Sequence, residues 1–372
     1  MRFAGALFAA LAAVSMLAVP RPARAEAAVN PVPLYAYYYI WYDQSSWSRA
    51  KSDLPVLGRY SSDHAAVMAR HIDLAKQAGI DGFIVSWKST DVLNSRLDQL
   101  IRIAVAKQFK LAIIYESLDF HRNPLPLDRV RRDLNQFATR YARSPAFDTF
   151  DLPLVIWSGT WRYAAADVAT VTRPLRDRLM ILASEHSPTG YQRLAGLVDG
   201  DAYYWSSVDP RRTPRYRQKL AAMQQAVHAD QGLWIAPVAP GYDARKLGGK
   251  RVVQRREGAT LREEMDAAIA SSPDVLGLIS WNEFSEGSYV EPSVRYGRRY
   301  LDVLASLQRP QGPGTTAGMD FASDLPDGRD ASPGRFVVLG SLLLGTVGSL
   351  AVLIRRVARS AGPTTDRRGN RS

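Results

Sequence analysis

The sequence predicts a (β/α)8 TIM barrel, and three observations carry that expectation. Short apolar or β-branched runs alternate with segments of helical period eight times along the body of the chain. The alternation fills about 280 residues, close to the ~250 that such barrels usually need. No glycine-rich phosphate loop follows the first run, although the alternative, a doubly wound open sheet, would usually carry one. Of the 372 residues, 46% are hydrophobic, 10% aromatic and 23% charged. Such a composition excludes a disordered tail protein, a collagen-like repeat and a multi-span transporter.

The elements follow in order. Residues 34–42 (LYAYYYIWY) form the first strand, with alternate rings on opposite faces. Residues 62–78 form the first helix, where Ala66, Ala69, Ile72 and Ala75 recur at helical spacing. The next three units are strand 82–87 with helix 93–107, strand 111–116 with helix 127–141, and strand 154–157 with helix 165–178. The fifth is weakest, strand 180–184 with a short helix 192–197. Strand 202–205 with helix 214–229, strand 233–238 with helix 261–270, and strand 275–283 with helix 294–307 complete the set.

The two ends read as addresses. Residues 1–25 resemble a signal peptide: Arg2 leads, residues 4–19 are apolar, and Ala23-Arg24-Ala25 supplies the cleavage pattern. The barrel domain is expected over residues 26–308, and 309–335, rich in Pro, Gly, Asp and Ser, as a flexible stalk. Residues 336–354 carry no charge and as a helix would reach roughly 28 Å, enough to cross a bilayer core as a transmembrane helix. Six arginines in the tail 355–372 place it in the cytoplasm, so the barrel stands outside the cell membrane on a single span.

The net charge of +12 shrinks once these ends are set aside. They carry +3 in the first 25 residues and +5 in the last 18, leaving +4 for residues 26–354. Nucleic acid is therefore not an expected partner. Zero cysteines exclude a disulfide framework, a thiolate zinc site and a cysteine nucleophile. The five histidines show no H-x-x-x-H or H-x-H spacing, so no metal site is expected. His64 and His71 read as capping or surface residues on an outer helix. The basic run Lys250, Arg251, Arg255 and Arg256 reads as a solvated loop, with a glycan-facing role as the alternative. No oligomeric state follows from the sequence.

Barrel chemistry sits at the C-terminal ends of the strands. Those ends carry Trp41 and Tyr42, Trp87 and Lys88, Tyr115 and Glu116, Trp157, Glu185 and His186, Tyr204 and Trp205, and Tyr242 and Asp243. The eighth carries Trp281, Asn282, Glu283 and Glu286. Rings beside carboxylates suit a sugar, whose C–H faces stack and whose hydroxyls bond to acids. Residues 280–292 (SWNEFSEGSYVEP) are the sharpest segment, with Glu283 and Glu286 three apart and Glu291 just beyond. Glycosidic hydrolysis needs one acid on the leaving oxygen and a second carboxylate at the anomeric centre. Neighbouring carboxyls have their pKa values pushed apart, which serves that division. The flanking Trp281, Phe284, Gly287 and Tyr289 set this pair apart from Glu263 and Glu264, which read as an ordinary charged helix face.

This segment resembles the N-E-x-x-E-G signature of the endo-α-mannosidases, glycoside hydrolase family 99, and their wider relatives. Tyr38-Tyr39-Ile40-Trp41-Tyr42 resembles the family's aromatic opening. Gly58-Arg59-Tyr60-Ser61-Ser62-Asp63 and Ala78-Gly79-Ile80-Asp81-Gly82, with Ser86-Trp87, resemble its second block. The chain departs from the family at Phe284-Ser285, where Trp-His is common, at Lys88, where a second Trp is common, and at Tyr289, often Gln. The resemblance implies a retaining, endo-acting α-glycosidase without metal or organic cofactor. It makes Glu286 the general acid/base, has Glu283 deprotonate the sugar's own 2-hydroxyl, and puts Glu116 in the active site. The expected substrate contacts are Glu116, Tyr39, Trp41, Tyr42, Trp87, Tyr204, Trp205, Tyr242, Trp281, Asn282 and Glu291. The function expected is an exported, membrane-anchored glycoside hydrolase that cleaves α-linked polysaccharide or oligosaccharide. A non-catalytic glycan-binding barrel and a cell-envelope polysaccharide assembly factor remain open beside it.

Overall fold

The computed structural model describes residues 32–308. The expected signal peptide (1–25), stalk (309–335), transmembrane helix (336–354) and tail (355–372) lie outside the described residues. Among the described residues no helix is long and apolar enough to cross a membrane.

Among the described residues there are ten strands: β1 (Leu34–Tyr39), β2 (Gly82–Trp87), β3 (Lys110–Glu116), β4 (Leu154–Ser158), β5 (Met180–Leu182), β6 (Gly200–Ala202), β7 (Leu233–Val238), β8 (Tyr242–Asp243), β9 (Val252–Val253) and β10 (Val275–Leu278). Eight of them form one parallel sheet in the order β5-β4-β3-β2-β1-β10-β7-β6. The two edges meet in a parallel bridge between Ala183 and Asp201. There the Ala183 N–H donates to the Gly200 carbonyl and the Ala202 N–H to the Ala183 carbonyl, each at 2.9 Å. The sheet is thereby a closed barrel, as expected. Around it run α1 (Ala65–Gln77), α2 (Asp91–Ala106), α3 (Leu127–Arg140), α4 (Ala165–Thr172), α5 (Pro188–Gln192), α6 (Tyr216–Ala229), α7 (Ala259–Ile269) and α8 (Arg299–Gln308).

Where elements differ from expectation, local chemistry accounts for most cases. The first and eighth strands stop at Tyr39 and Leu278, short of residues 42 and 283. The Asn282 side chain takes over the role of strand partner, accepting from the Tyr39 N–H at 2.9 Å and donating to its carbonyl at 3.0 Å. Helix α4 gives way at Thr172 to a 3-10 turn containing Pro174, which has no N–H to continue the helix. The fifth helix lies four residues upstream of the expected one, started by the Ser187 hydroxyl capping Gly190 and by Pro188. The antiparallel β8–β9 hairpin was not expected.

Tyr35, Tyr37 and Tyr39 face the barrel interior with Ile84, Ile114, Ile156 and Ile235. Leu34, Ala36 and Tyr38 face the helices. Two glycines make space for the inner rings. A Cβ on Gly82 would lie 2.3 Å from the Tyr35 ring, and one on Gly277 would meet Ile235 at 2.9 Å and Tyr37 at 3.2 Å. The lower barrel is thus filled with rings and branched chains, which leaves the C-terminal mouth for polar groups.

His71 is not at the surface. It is fully buried on the inner stripe of α1, with Nδ1 3.0 Å from the Tyr38 hydroxyl and Nε2 3.0 Å from Glu291 Oε1. Tyr60 donates to Glu291 Oε2 at 2.8 Å. The network ties β1, α1 and the segment after β10 together. Removing one member strands a buried carboxylate, which costs several kcal/mol. His71→Ala is expected to lower stability by about 3 kcal/mol in urea denaturation. A loss under about 1 kcal/mol would show that Glu291 is held by other groups.

Glu264 also departs from expectation. Rather than lining a solvated helix face, it is fully buried and accepts the Ala239 N–H on Oε2 at 2.6 Å. It sits in the stripe of Leu261, Met265 and Ala268 that packs α7 on the sheet.

Candidate active site

The chain leaves β10 and closes a strap over residues 280–291. The Ser280 N–H donates to the Ser288 carbonyl (2.8 Å), Val290 N–H to Ser280 (2.9 Å), and Glu291 N–H to Trp281 (2.8 Å). Within the strap, Ser280 Oγ accepts the Glu283 N–H at 2.8 Å. From outside, the Asp243 N–H of β8 donates to the Glu286 carbonyl at 2.7 Å. Gly287 has φ +62°, and a Cβ there would meet Asp243 at 3.2 Å, so the hairpin packs directly against this turn.

Arg255 secures the same strap, and this corrects the reading of the basic run as a solvated loop. It is 7% exposed, donates to the carbonyls of Gly287 (2.9 Å) and Tyr289 (2.8 Å), and is enclosed by the rings of Tyr289, Tyr296 and Tyr300 at about 4.5 Å. Arg251 and Lys250 of that run are exposed.

Glu283 and Glu286 are both buried, at 2% and 3% exposure, yet their surroundings differ. Glu283 Oε1 accepts the Ser285 N–H at 2.9 Å. Lys51, whose Nζ donates to Ser285 Oγ at 2.7 Å, stands beside it. Burial pushes the Glu283 pKa up, while Lys51 and the N–H groups of the strap pull it back. Glu286 is less supported. Its Oε2 is buried without a hydrogen-bond partner among the described residues, and burial together with the neighbouring Glu283 charge pushes its pKa well above the carboxylate range, with only the Arg122 charge opposing the rise. One acid of the pair can thus be ionised while the other still holds its proton.

Glu116, at the end of β3, is the third buried carboxylate. Ser86 donates to its Oε1 at 2.8 Å. Burial raises its pKa to about 7; Ser86, Lys88 and Arg122 oppose the rise and Glu283 adds to it.

Several of the expected contacts gather at this mouth. The hydroxyls of Tyr39 and Tyr204 are 2.6 Å apart, and Trp41 lies 4.3 Å from the Tyr39 ring. Tyr242 is within the field of Glu286 and Glu283. Tyr42 and Asn282 act from below: Tyr42 stacks on Trp47 and donates to the Asn282 carbonyl at 2.6 Å.

Four expected contacts belong elsewhere. Ser86 points inward to Glu116, so the next residue, Trp87, must point out. Trp87 donates to Asn94 Oδ1 at 3.0 Å and packs on Phe137. Tyr204 points inward, so Trp205 lies outside against Tyr203 and Tyr216. Trp281 packs on His71 and Phe83, and Glu291 belongs to the His71 network. The sequence reading missed Lys51 and Arg122, which come from irregular loops with no periodic signal, and the pairing of Trp161 with His186 at 4.1 Å. Among the described residues no group of three His, Asp or Glu side chains could hold a metal.

Comparison with known proteins fits this geometry. The family model described as glycosyl hydrolase family 71 matches residues 56–301. The mouse (Mus musculus) glycoprotein endo-alpha-1,2-mannosidase-like protein is 23% identical over 358 residues, covering 77% of this chain and 78% of the mouse protein. The human (Homo sapiens) protein of the same description is 24% identical, covering 67% of this chain; the match spans 60% of the human protein. Among solved structures, the GH99 endo-alpha-mannosidase from Bacteroides thetaiotaomicron shares the fold with a TM-score of 0.65 at 21% identity, over 73% of this chain and 95% of that one. The likeness to endo-α-mannosidases read from the N-E-x-x-E-G block is met by these relatives. With its model matched from the loop after β1 into α8, the chain belongs to glycosyl hydrolase family 71 and is a glycoside hydrolase.

Proposed function

We propose that this enzyme cleaves α-linked glycan with retention, acting within the polymer, with Glu286 as general acid/base and Glu283 as the base on the sugar's 2-hydroxyl. The observation that carries the reading is the unequal pair: Glu283 held by strap N–H groups with the Lys51 charge beside it, Glu286 buried with one oxygen that has no hydrogen-bond partner among the described residues. In the first step Glu283 takes the 2-hydroxyl proton and O2 bonds to C1. The bond from C1 to the leaving oxygen breaks as Glu286 gives that oxygen its proton. In the second, Glu286 takes a proton from water, the water oxygen attacks C1, the C1–O2 bond opens, and Glu283 returns its proton to O2. Two inversions at C1 leave the configuration unchanged. The rings of Tyr39, Trp41, Tyr204 and Tyr242 supply the apolar faces that a sugar needs. The likeness to named endo-alpha-1,2-mannosidases favours a mannan-like substrate.

The barrel is further proposed to be exported and held at the outer face of the cell membrane, a reading that rests on the composition of residues 1–25 and 336–372.

The test incubates the full chain with α-mannans, α-glucans and envelope glycans and follows new reducing ends and their anomeric form. Release of oligosaccharides with the starting α configuration is expected. Products of inverted configuration would overturn the two-step route. Binding without cleavage would put a glycan-binding barrel in its place.

A further inference from the structure

Successive loops at the barrel mouth each bring a cation toward the carboxylates: Lys51 after β1, Lys88 after β2 and Arg122 after β3. All three are half-buried, and none has an ion pair among the described residues. Elsewhere, Arg96, Arg140, Arg193 and Arg256 are paired with Asp63, Asp98, Glu185 and Glu263 at 2.8 Å or less. Lys51 donates to Ser285 Oγ and Lys88 to the Leu118 carbonyl at 3.4 Å. The Arg122 guanidinium lies 6.0 Å from the ring centroid of Trp161 and bonds to no carboxylate.

The simplest role for such cations is to balance buried carboxylates. That accounts for Lys51 beside Glu283 and Lys88 beside Glu116. Arg122 differs in its geometry. It lies in the field of Glu286 and Glu116, but among the described residues its guanidinium makes no hydrogen bond and is left beside the Trp161 ring. His186, the ring paired with Trp161, adds no charge of its own: burial first, then Lys219 and Arg122, push its pKa down to about 4. A partly desolvated guanidinium beside an aromatic face, with no hydrogen bond among the described residues, is open to the oxygens of an anion.

We propose that Arg122 and Trp161 form a subsite for a sugar bearing an anionic group, a uronate carboxylate or a phosphate ester, and that the substrate is an acidic α-linked glycan. The proposal rests on the hydrolase reading above for the bond that is cut. Arg122's planar fork fits two oxygens of either anion, Trp161 packs on the sugar's C–H face, and Lys51 and Lys88 add to the field that draws the polymer in.

The test compares kcat/KM of the full chain on an α-linked uronate polymer, the same polymer after carboxyl reduction, a phosphomannan and a neutral α-mannan. Carboxyl reduction removes the charge and keeps the linkage, and the phosphomannan arm separates the two sources of anion. The expected ratio of acidic to matched neutral substrate is roughly 10–100-fold, collapsing in Arg122→Gln, retained in part in Arg122→Lys, and shrinking as salt rises. A ratio near one in the wild type, or one that Arg122→Gln leaves unchanged, overturns the subsite, and cleavage of the neutral polymer in that case keeps the hydrolase reading. Should no polymer be cut, calorimetry with uronate oligosaccharides on Glu286→Gln decides the same point. Binding weakened by adding Arg122→Gln upholds the subsite although the hydrolase reading has failed, and equal binding or none overturns it.

Discussion

Glu286→Gln is expected to lower kcat by about 10²–10⁴-fold, the usual contribution of a positioned acid. Gln matches Glu in shape, and the strap that carries it is held through backbone carbonyls, by the Asp243 N–H and by Arg255. What the substitution removes is the proton. Burial and the Glu283 charge keep that proton on Glu286 far above the usual carboxylate range, so it is available where an exposed glutamate would have lost it. The loss should depend on the leaving group. A glycoside with an acidic phenol as aglycone needs little help to depart, so its first step should fall much less than that of a polymer. Steady-state rates on both substrate types check this. An equal fall on both would remove Glu286 from the acid role and leave it a structural part of the strap.

The alternation of strand and helix, and the strand-end position of Glu116 and of the Glu283 and Glu286 pair, follow from period and spacing. What misled was parity at strand ends. Phe83, Val85 and Trp87 face the helices while Ile84 and Ser86 face the barrel. In a parallel barrel both faces are buried, so apolar residues on each side hide which face is which. The same holds for Trp205, whereas Trp281, past the end of β10, shares the parity of the inward Val275 and Ile279 and still packs outward, because the alternation stops with the strand. His71 and Glu264 are another matter. Met68, His71, Ile72 and Ala75, and likewise Leu261, Glu264, Met265 and Ala268, lie on single helical stripes and are buried together. A polar residue inside an apolar stripe is a readable sign of a buried, bonded group. Arg122, Lys51 and the buried place of Arg255 carry no such sign, because irregular loops position them through contacts distant in sequence.

Glu283→Gln is expected to cost about as much, roughly 10²–10⁴-fold in kcat, and in addition to remove the acid limb of the pH profile. The sign follows from the roles. Activity needs Glu283 without its proton and Glu286 with it, so kcat/KM rises as Glu283 ionises and falls as Glu286 does. Burial raises the first pKa above 4.5, and burial with the Glu283 charge raises the second well beyond it. The active window should therefore begin above the pH at which an exposed glutamate ionises and end well above the ordinary carboxylate range. Glu116, whose pKa of about 7 is raised in part by the Glu283 charge, still holds its proton while Glu283 ionises. Glu116→Gln should accordingly leave the rising limb in place, because it removes a group that is neutral there and not the base. If Glu283→Gln keeps its acid limb and Glu116→Gln loses it, the base is Glu116. The pair of profiles therefore discriminates between two buried carboxylates that face the same mouth from β3 and from the strap after β10.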